Sequence, residues 1–286
     1  MDDPKSKNTV KKLILVVILS NIFSLVIAQR GWEAGGWVGT STYFGDLNTN
    51  YNLSMPGLAG GIVGRFNFNN RLALKFSGNM GTVMGDDAVS KNTFERARNL
   101  SFRSRIIEGA AQLEFNFLPY THGSREEFFT PYLFAGMNVF HFNPEAEYKG
   151  EWVELRPLGT EGQFKGEEYY SVNAGLVYGF GFKIDLSYEW SINIELGART
   201  VFTDYLDDVS GFYPDNDDLR RARGDVAADL SDRSILIPGV NDGQIGQAGR
   251  QRGSTSINDS YVLAGIGLVY YFGDLKCPTY GNRRKL

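Results

Sequence analysis

Four carboxylates grouped in the segment 202–215 are the first side chains of this sequence that could do chemistry. Asp204, Asp207, Asp208 and Asp215 lie in a polar stretch, and carboxylate oxygens are the ligands that calcium prefers. Their spacing differs from that of an EF-hand loop, and acidic loops are also common where no ion is bound. The spacing alone therefore predicts no metal site, and calcium binding by this loop stays open.

The two histidines offer little for acid–base or nucleophilic catalysis. His122 lies in a predicted turn and His141 near the end of a predicted strand, and neither is close to a nucleophile motif. The sequence contains no Gly-x-Ser-x-Gly elbow, no zinc-ligand spacing and no phosphate-binding loop. We therefore predict that the protein is not an enzyme and that it needs no cofactor.

Cys277 is the only cysteine, and it lies close to the C-terminus. In an exported protein a single thiol is either free or part of an intermolecular disulfide. We predict Cys277 as a candidate for such a disulfide, with a tolerated unpaired thiol as the alternative. The cations that follow it, Arg283, Arg284 and Lys285, can attract an acidic surface or anionic lipid headgroups.

The segment 191–201 has two different faces if it forms a strand. One face is apolar and carries Ile192, Ile194, Leu196 and Ala198. The other face is mostly polar and carries Asn193, Glu195, Gly197 and Arg199. Because side chains alternate between the faces of a strand, this pattern predicts a wall between lipid and a polar interior.

The same alternation occurs eight times, and the mean hydropathy of −0.25 fits walls in which only every second residue faces lipid. The predicted strands are 32–44, 57–68, 71–84, 104–117, 130–142, 171–183, 190–202 and 260–272, with the fifth apolar on both faces. Long polar links alternate with short turns. Since a bilayer cannot hydrogen-bond free strand edges, we predict an all-β fold, a transmembrane antiparallel β-barrel of about eight strands.

Eight charged residues point to the predicted interior, four of each sign. They are Glu33, Arg65, Lys75, Glu108, Glu114, Lys183, Glu195 and Arg199. A barrel of this size has room for side chains but not for an open channel, which disfavours a diffusion porin. We predict that these residues pair inside the lumen, with Glu195 and Arg199 in one charge network.

The N-terminus is typical of an export signal. Lys5, Lys7, Lys11 and Lys12 precede an apolar run that ends at Ala28, a run too short for a spanning helix. Cleavage after residue 28 removes four lysines and two aspartates, which takes the formal net charge from −4 to −6 and disfavours nucleic acid as a partner. The predicted parts are a signal peptide (1–28), a barrel (29–273) and a periplasmic C-terminal tail (274–286).

The longest loop, 203–259, is predicted to be flexible at its tip. Asn241-Asp-Gly243 is typical of a turn, and three further glycines, Gly246, Gly249 and Gly253, favour mobility. Deletion of 241–253 should therefore leave membrane insertion intact.

Three segments carry a resemblance to a known family. They are Tyr43-Phe-Gly-Asp-Leu47, Phe202-Thr-Asp-Tyr-Leu-Asp-Asp-Val-Ser-Gly211 and Tyr270-Tyr-Phe-Gly-Asp-Leu-Lys-Cys-Pro278. Aromatic-Gly-Asp is also ordinary chemistry for the end of a strand. Together the segments resemble PorG, the outer-membrane barrel of the type IX secretion system of Bacteroidota. The most specific residues are Asp204, Tyr205, Leu206, Asp207 and Asp208.

The resemblance covers nearly the whole mature chain. It implies a non-enzymatic structural or adaptor component of the secretion machinery, located in the outer membrane and in contact with outer-membrane lipid. Its implied partners are the periplasmic ring proteins, a PorK-type lipoprotein and a PorN-type protein, and Cys277 would be the candidate for a disulfide to that ring. The alternative is a non-secretory barrel whose extracellular loops bind surface or host ligands.

Overall fold

The computed structural model describes residues 30–241, 243–255 and 258–273, so the predicted signal peptide, Cys277 and the tail lie outside the described residues. The described part contains nine strands. They are β1 (Gly31–Phe44), β2 (Gly57–Asn67), β3 (Leu72–Asp86), β4 (Ser101–Asn116), β5 (Phe129–Tyr148), β6 (Glu151–Glu154), β7 (Val172–Asp185), β8 (Trp190–Val201) and β9 (Ser260–Tyr271).

Eight of these strands close into an antiparallel barrel. The order is β4-β3-β2-β1-β9-β8-β7-β5, and β4 pairs with β5 to complete the circle. Strand β1 pairs with β9 over its whole length, from Glu33 opposite Tyr271 to Phe44 opposite Ser260. The predicted fold class, an all-β barrel of eight strands, is confirmed. No helix in the described ranges is long and apolar enough to cross a membrane.

The predicted inside and outside faces of β8 are also confirmed. Ile194 and Leu196 are each 42% exposed on the outer face, whereas Asn193 and Arg199 are buried in the lumen. In β5, which was ambiguous, Leu133 faces outward and Phe134 inward. The outer wall therefore presents a continuous apolar surface, and the polar residues of the strands face the lumen.

Glycines on inward positions leave room for the aromatic rings of neighbouring strands. A Cβ on Gly265 would lie 2.6 Å from the ring of Trp37, and one on Gly179 would lie 2.6 Å from the ring of Phe134. Only glycine fits beneath these rings. The glycines thus let a narrow barrel hold large lumen side chains.

The strand bounds agree with prediction to within three residues, except at the end of β5. Strand β5 continues to Tyr148 and forms a hairpin with β6, where the sequence predicted a loop. The inner face of this extension stays apolar, since Phe142 and Ala146 are buried. Its outer face carries Asn143 and Glu145. Because this outer face is polar, the extension lacks the lipid-facing alternation that predicts a membrane strand.

We call the end of the barrel with the connections 68–71, 117–128 and 186–189 the turn end, and the opposite end the loop end. The connections at the loop end fold into a cap with its own core, which joins the top of the lumen and includes Tyr43, Phe142, Leu206, Val209 and Leu230. Three short helices belong to it: α1 (Thr93–Arg98), α2 (Asn216–Arg223) and α3 (Asp225–Ser231).

The predicted flexible tip at 241–253 was wrong for the described part of that segment. Ile245 and Arg252 are both buried in the cap. A Cβ on Gly246 would lie 2.4 Å from Asp232, and one on Gly253 would lie 2.5 Å from Asp46. These glycines permit close packing of the chain, which the sequence could not distinguish from mobility.

Candidate functional site

Six of the eight predicted lumen charges form one connected group toward the turn end. Glu114 is its centre, because Arg65 Nε lies 2.8 Å, Lys183 Nζ 2.6 Å and Lys75 Nζ 3.4 Å from its carboxylate oxygens. Lys75 also binds Glu195 at 2.6 Å. The sixth member, Glu33, pairs with the guanidinium of Arg65.

The other two charges form a separate group toward the loop end. Arg199 Nη2 lies 3.0 Å from Glu108 Oε1, and the same carboxylate accepts hydrogen bonds from Asn79, Asn138 and Tyr261. Glu195 and Arg199 therefore lie inside the barrel but not in one network of direct ion pairs. They lie four residue steps apart along β8, about 13 Å, and each pairs with the charges at its own level.

These ion pairs fill the lumen. Burying an unpaired ion costs several kcal/mol, so each buried charge needs close partners. The carboxylates of Glu33 and Glu114 are 0% exposed, and Glu195 is the most open acid of the group at 27%. A cavity of about 40 Å³ beside Trp37 and Lys75 leaves space for a few waters. Side chains thus occupy most of the described interior, where an open channel would have to run.

His122 closes the turn end, a role that no sequence signal indicated. Its Nε2 lies 3.0 Å from Glu33 Oε1 and its Nδ1 lies 3.0 Å from Asp185 Oδ1. The ring stacks on Tyr271 with centroids 4.4 Å apart. Burial favours the neutral ring, but the hydrogen bonds and charges of Asp185 and Glu33 outweigh it and raise the pKa of His122 to about 9. A cationic histidine therefore ties the turn 117–128 to β1 and β7.

His141 lies on the outer wall of β5, exposed to the surroundings of the barrel. Within the described residues, neither histidine is hydrogen-bonded to a serine, threonine or cysteine side chain. The arrangement needed for a Ser–His nucleophile is thus not assembled around either ring in this part of the chain.

The motif 204–208 fixes the cap to the top of β1. Leu206 is fully buried in the cap core, and Asp207 is buried beside it. The hydroxyl of Tyr43 donates to Asp207 Oδ2 at 2.5 Å and lies 2.8 Å from Asp259 Oδ1. One hydroxyl carries one proton, so contact with both carboxylates requires that one of them is protonated. Burial, and then the charge of Asp259, raise the pKa of Asp207 well above its usual value.

Asp208 joins the motif to the neighbouring loop. It accepts hydrogen bonds from Thr160 Oγ1 and, at 2.7 Å, from Tyr169 Oη. Burial raises the pKa of Asp208 to about 6 despite the nearby charge of Arg252. Asp204 is less enclosed, and burial with repulsion from other carboxylates raises its pKa to about 7.

Three of the four aspartates in the segment 202–215 have protein partners that account for their positions. Asp215 caps α2 by accepting from the backbone N–H groups of Asp217 and Asp218. Across the described ranges, no group of three or more histidine, cysteine, aspartate or glutamate side chains is arranged to hold a metal ion. The carboxylates of Asp207, Asp208 and Asp215 instead bind hydroxyl, amide and guanidinium groups of the cap.

These residues define the class of protein: a closed barrel of eight strands with a charge-filled lumen and a folded loop cap. A profile of the DUF6089 family, described as a domain of unknown function, matches residues 11–230. The chain belongs to this family. No curated protein sequence matches the chain.

Solved structures of other barrels resemble it at low sequence identity. Neisserial surface protein A is 9% identical with a TM-score of 0.43, over 85% of this chain and 97% of that chain. Ail of Yersinia pestis, in complex with the heparin analogue sucrose octasulfate, is 11% identical with a TM-score of 0.41, over 85% and 99%. The outer membrane protein OprG from Pseudomonas aeruginosa is 11% identical with a TM-score of 0.41, over 86% and 98%.

Proposed function

We propose that this protein is a non-enzymatic outer-membrane barrel that serves as a structural or adaptor component of the type IX secretion machinery. In this proposal its turn end faces the periplasm and contacts the ring of PorK-type lipoprotein and PorN-type protein. The observation that carries the proposal is the filled lumen. Because paired charges occupy the interior, such a barrel acts through its surfaces.

The outer wall supports the membrane location. On β4 the lipid-facing residues run from Phe117 to Ile107, a height of about 25 Å at the usual strand tilt, which matches the apolar band of known membrane barrels. Aromatic side chains are exposed around the turn end, where an interface with water would lie. They are Trp32, Phe68, Phe117, Phe128, Tyr188, Trp190 and Phe272.

The secretion role is supported by the motif 204–208 and by the shape of the turn end. The motif resembles that of PorG, and its buried aspartates anchor the cap. At the turn end the connection 186–189 presents Leu186 and Tyr188, which are 58% and 64% exposed. In this proposal these side chains extend beyond the lipid headgroups, where a periplasmic protein contacts them.

Isolation of the tagged barrel from native membranes, followed by mass spectrometry, tests the partner. The ring proteins should be recovered with the wild type and lost from a Leu186→Ser, Tyr188→Ser double variant. A Phe164→Ser variant at the loop end is the matched control and should retain them. Absence of ring proteins from folded wild type, together with normal secretion in a strain lacking the barrel, would contradict the proposal.

Cys277 stays a proposed covalent link to the ring lipoprotein. A non-reducing gel of native membranes should show a heavier band that reductant collapses and that Cys277→Ala lacks. If wild type and Cys277→Ala migrate alike and recover the same partners, the tail makes no disulfide.

The ordered cap favours a second candidate, a non-secretory barrel whose loops bind surface or host ligands. Buried ion pairs such as Arg98–Asp87, 2.8 Å apart, hold the loops in one arrangement, as a binding surface requires. Under this alternative, cap variants would lose surface binding while secretion stays normal.

A further inference from the structure

An apolar turn at the loop end stands out from the polar surface around it. The segment 235–240 reads Ile-Leu-Ile-Pro-Gly-Val, and we call it the knob. Ile235, Leu236 and Val240 are 47%, 66% and 40% exposed. Exposed apolar residues grouped in this way mark a contact surface more often than single ones do.

The knob is held in one conformation. The side chain of Asn241 accepts a hydrogen bond from Ile237 N at 2.8 Å and donates to Ile235 O at 3.0 Å and Gly243 O at 2.7 Å. Ile237 packs beneath the knob against the buried cluster of Ala97, Tyr213 and Ile245. A turn fixed in this way loses little conformational entropy when a partner covers it.

The knob lies too far from the apolar band to be a lipid anchor. Arg233, two residues before the knob, donates from Nη1 to Ser101 Oγ at 2.8 Å, which places the start of the segment at the top of β4. Ser101 lies six residue steps along β4 from Ile107, the last lipid-facing apolar residue of that strand. They raise Ser101 by about 15 Å above the apolar band.

Three arginines lie on the segments next to the knob. Arg96 and Arg250 are exposed, and the guanidinium carbon of Arg250 lies 5.7 Å from the ring centroid of Phe94 on α1. The backbone N–H of Ile235 donates to Ala97 O at 2.9 Å, so the knob starts beside Arg96. With Arg233 these residues make a cationic rim, and none of the three pairs with an acidic side chain among the described residues. Among the described residues, the acid nearest the knob in the sequence is Asp232, which accepts from Ser234 N.

We propose that the knob is the anchor for a second protein at the cell surface, one with an apolar pocket for Leu236 and acidic residues that meet Arg96 and Arg250. An apolar centre within a charged rim is the usual arrangement of a specific protein interface. The inference rests on the membrane orientation of the proposed function, but not on its periplasmic partner. It assigns the two ends of the barrel to two different proteins.

Photo-crosslinking in intact cells tests it. The photoreactive residue p-benzoylphenylalanine replaces Leu236 in one strain, Phe164 of another loop in a control strain, and Tyr188 of the turn end in a third. Heat-modifiable migration on gels verifies that each barrel is folded. We expect a single adduct at Leu236 that mass spectrometry identifies as an acidic protein, and none of it at Phe164.

The double variant Arg96→Glu, Arg250→Glu should lower the yield of that adduct about tenfold, since two rim charges change from attraction to repulsion.

Four results would overturn the inference: an adduct of lipid or glycolipid only, a dimer of this chain, no adduct at Leu236, or an adduct that the charge reversals leave unchanged. The Tyr188 strain separates this inference from the proposed function. Under the proposed function, Tyr188 should give an adduct with a periplasmic ring protein. If that adduct is absent while the acidic partner is still bound at Leu236, the secretion role is contradicted and the knob remains a binding site.

Discussion

The lumen and the cap both bury carboxylates, but they stabilise them by different means. In the lumen Glu114 is surrounded by three cations, Arg65, Lys75 and Lys183. In the cap Asp207 and Asp259 meet at one tyrosine hydroxyl, with no cation bound to either in the described ion pairs. The lumen therefore balances charge with charge, whereas this pair of carboxylates in the cap shares a proton.

This difference indicates which region can respond to a change in pH. A wall that crosses lipid must keep its interior neutral, and ion pairs do so without exchange of protons with the surroundings. The cap lies in water, so its carboxylates can gain or lose protons as the pH changes. We therefore expect a rigid lumen beneath a cap whose stability depends on pH.

Removal of the central lumen charge should have the largest effect. Glu114→Gln leaves Arg65, Lys75 and Lys183 buried with one carboxylate fewer, and breaking a buried ion pair costs about 3–5 kcal/mol. The midpoint of urea unfolding, read from heat-modifiable migration in detergent, should fall accordingly. Glu126→Gln, in the exposed part of the turn 117–128, is the control and should be neutral. Equal stability of the two variants would mean that the lumen is hydrated.

A cation on the outer wall should have the next largest effect. Leu196→Arg places a charge near the middle of the proposed membrane and should cost about 2–4 kcal/mol. Thr200→Arg, on the same face of β8 but near the loop end, should cost about 0–1 kcal/mol. Refolding into lipid vesicles measures both. Equal costs would contradict the membrane location, because only a bilayer makes the cost depend on depth.

The barrel wall was predictable from the sequence because every second residue of each strand faces lipid and is therefore apolar. That rule identified Leu196 as outward and Arg199 as inward without knowledge of any contact. It could not show which charges pair, because Glu195 and Arg199 share a face while their partners come from β3 and β4. The cap obeys no such rule. Its buried residues, such as Ile245 and Arg252, are set by packing between loops, so their burial had no periodic signal.

Loss of the hydroxyl that two cap carboxylates share should have a smaller effect. Tyr43→Phe removes the donor to Asp207 and the contact to Asp259, and an unsatisfied buried group costs about 1–3 kcal/mol. The loss of stability should be confined to the cap. Hydrogen exchange should speed up in residues 202–241, while the paired strands β1 and β9 stay protected. Tyr51→Phe, in an exposed loop, is the control. Faster exchange throughout the barrel would show that the cap and wall are one cooperative unit.

The smallest expected effect is a loosening of the cap as the pH rises. Burial raises the pKa of Asp204 to about 7 and that of Asp208 to about 6, both above the ordinary value of 3.8. The folded cap therefore holds these protons more tightly than the unfolded chain does. Their stabilising contribution is complete below about pH 4, and it is lost as the pH rises through 6 and 7.

Amide exchange in residues 202–241, corrected for its intrinsic pH dependence, should be at least about tenfold faster at pH 8 than at pH 5. Asp208 alone contributes about one pKa unit above pH 5, and one unit corresponds to a factor of ten. Asp204→Asn should reduce that dependence, because an amide stays neutral, whereas Asp217→Asn on the exposed face of α2 should not. Exchange in β7 and β8 should vary little over this range. If exchange in the cap is as insensitive to pH as exchange in those strands, the cap carboxylates are balanced by cations such as Arg98 and Arg252, as in the lumen. The contrast between the two regions would then be wrong.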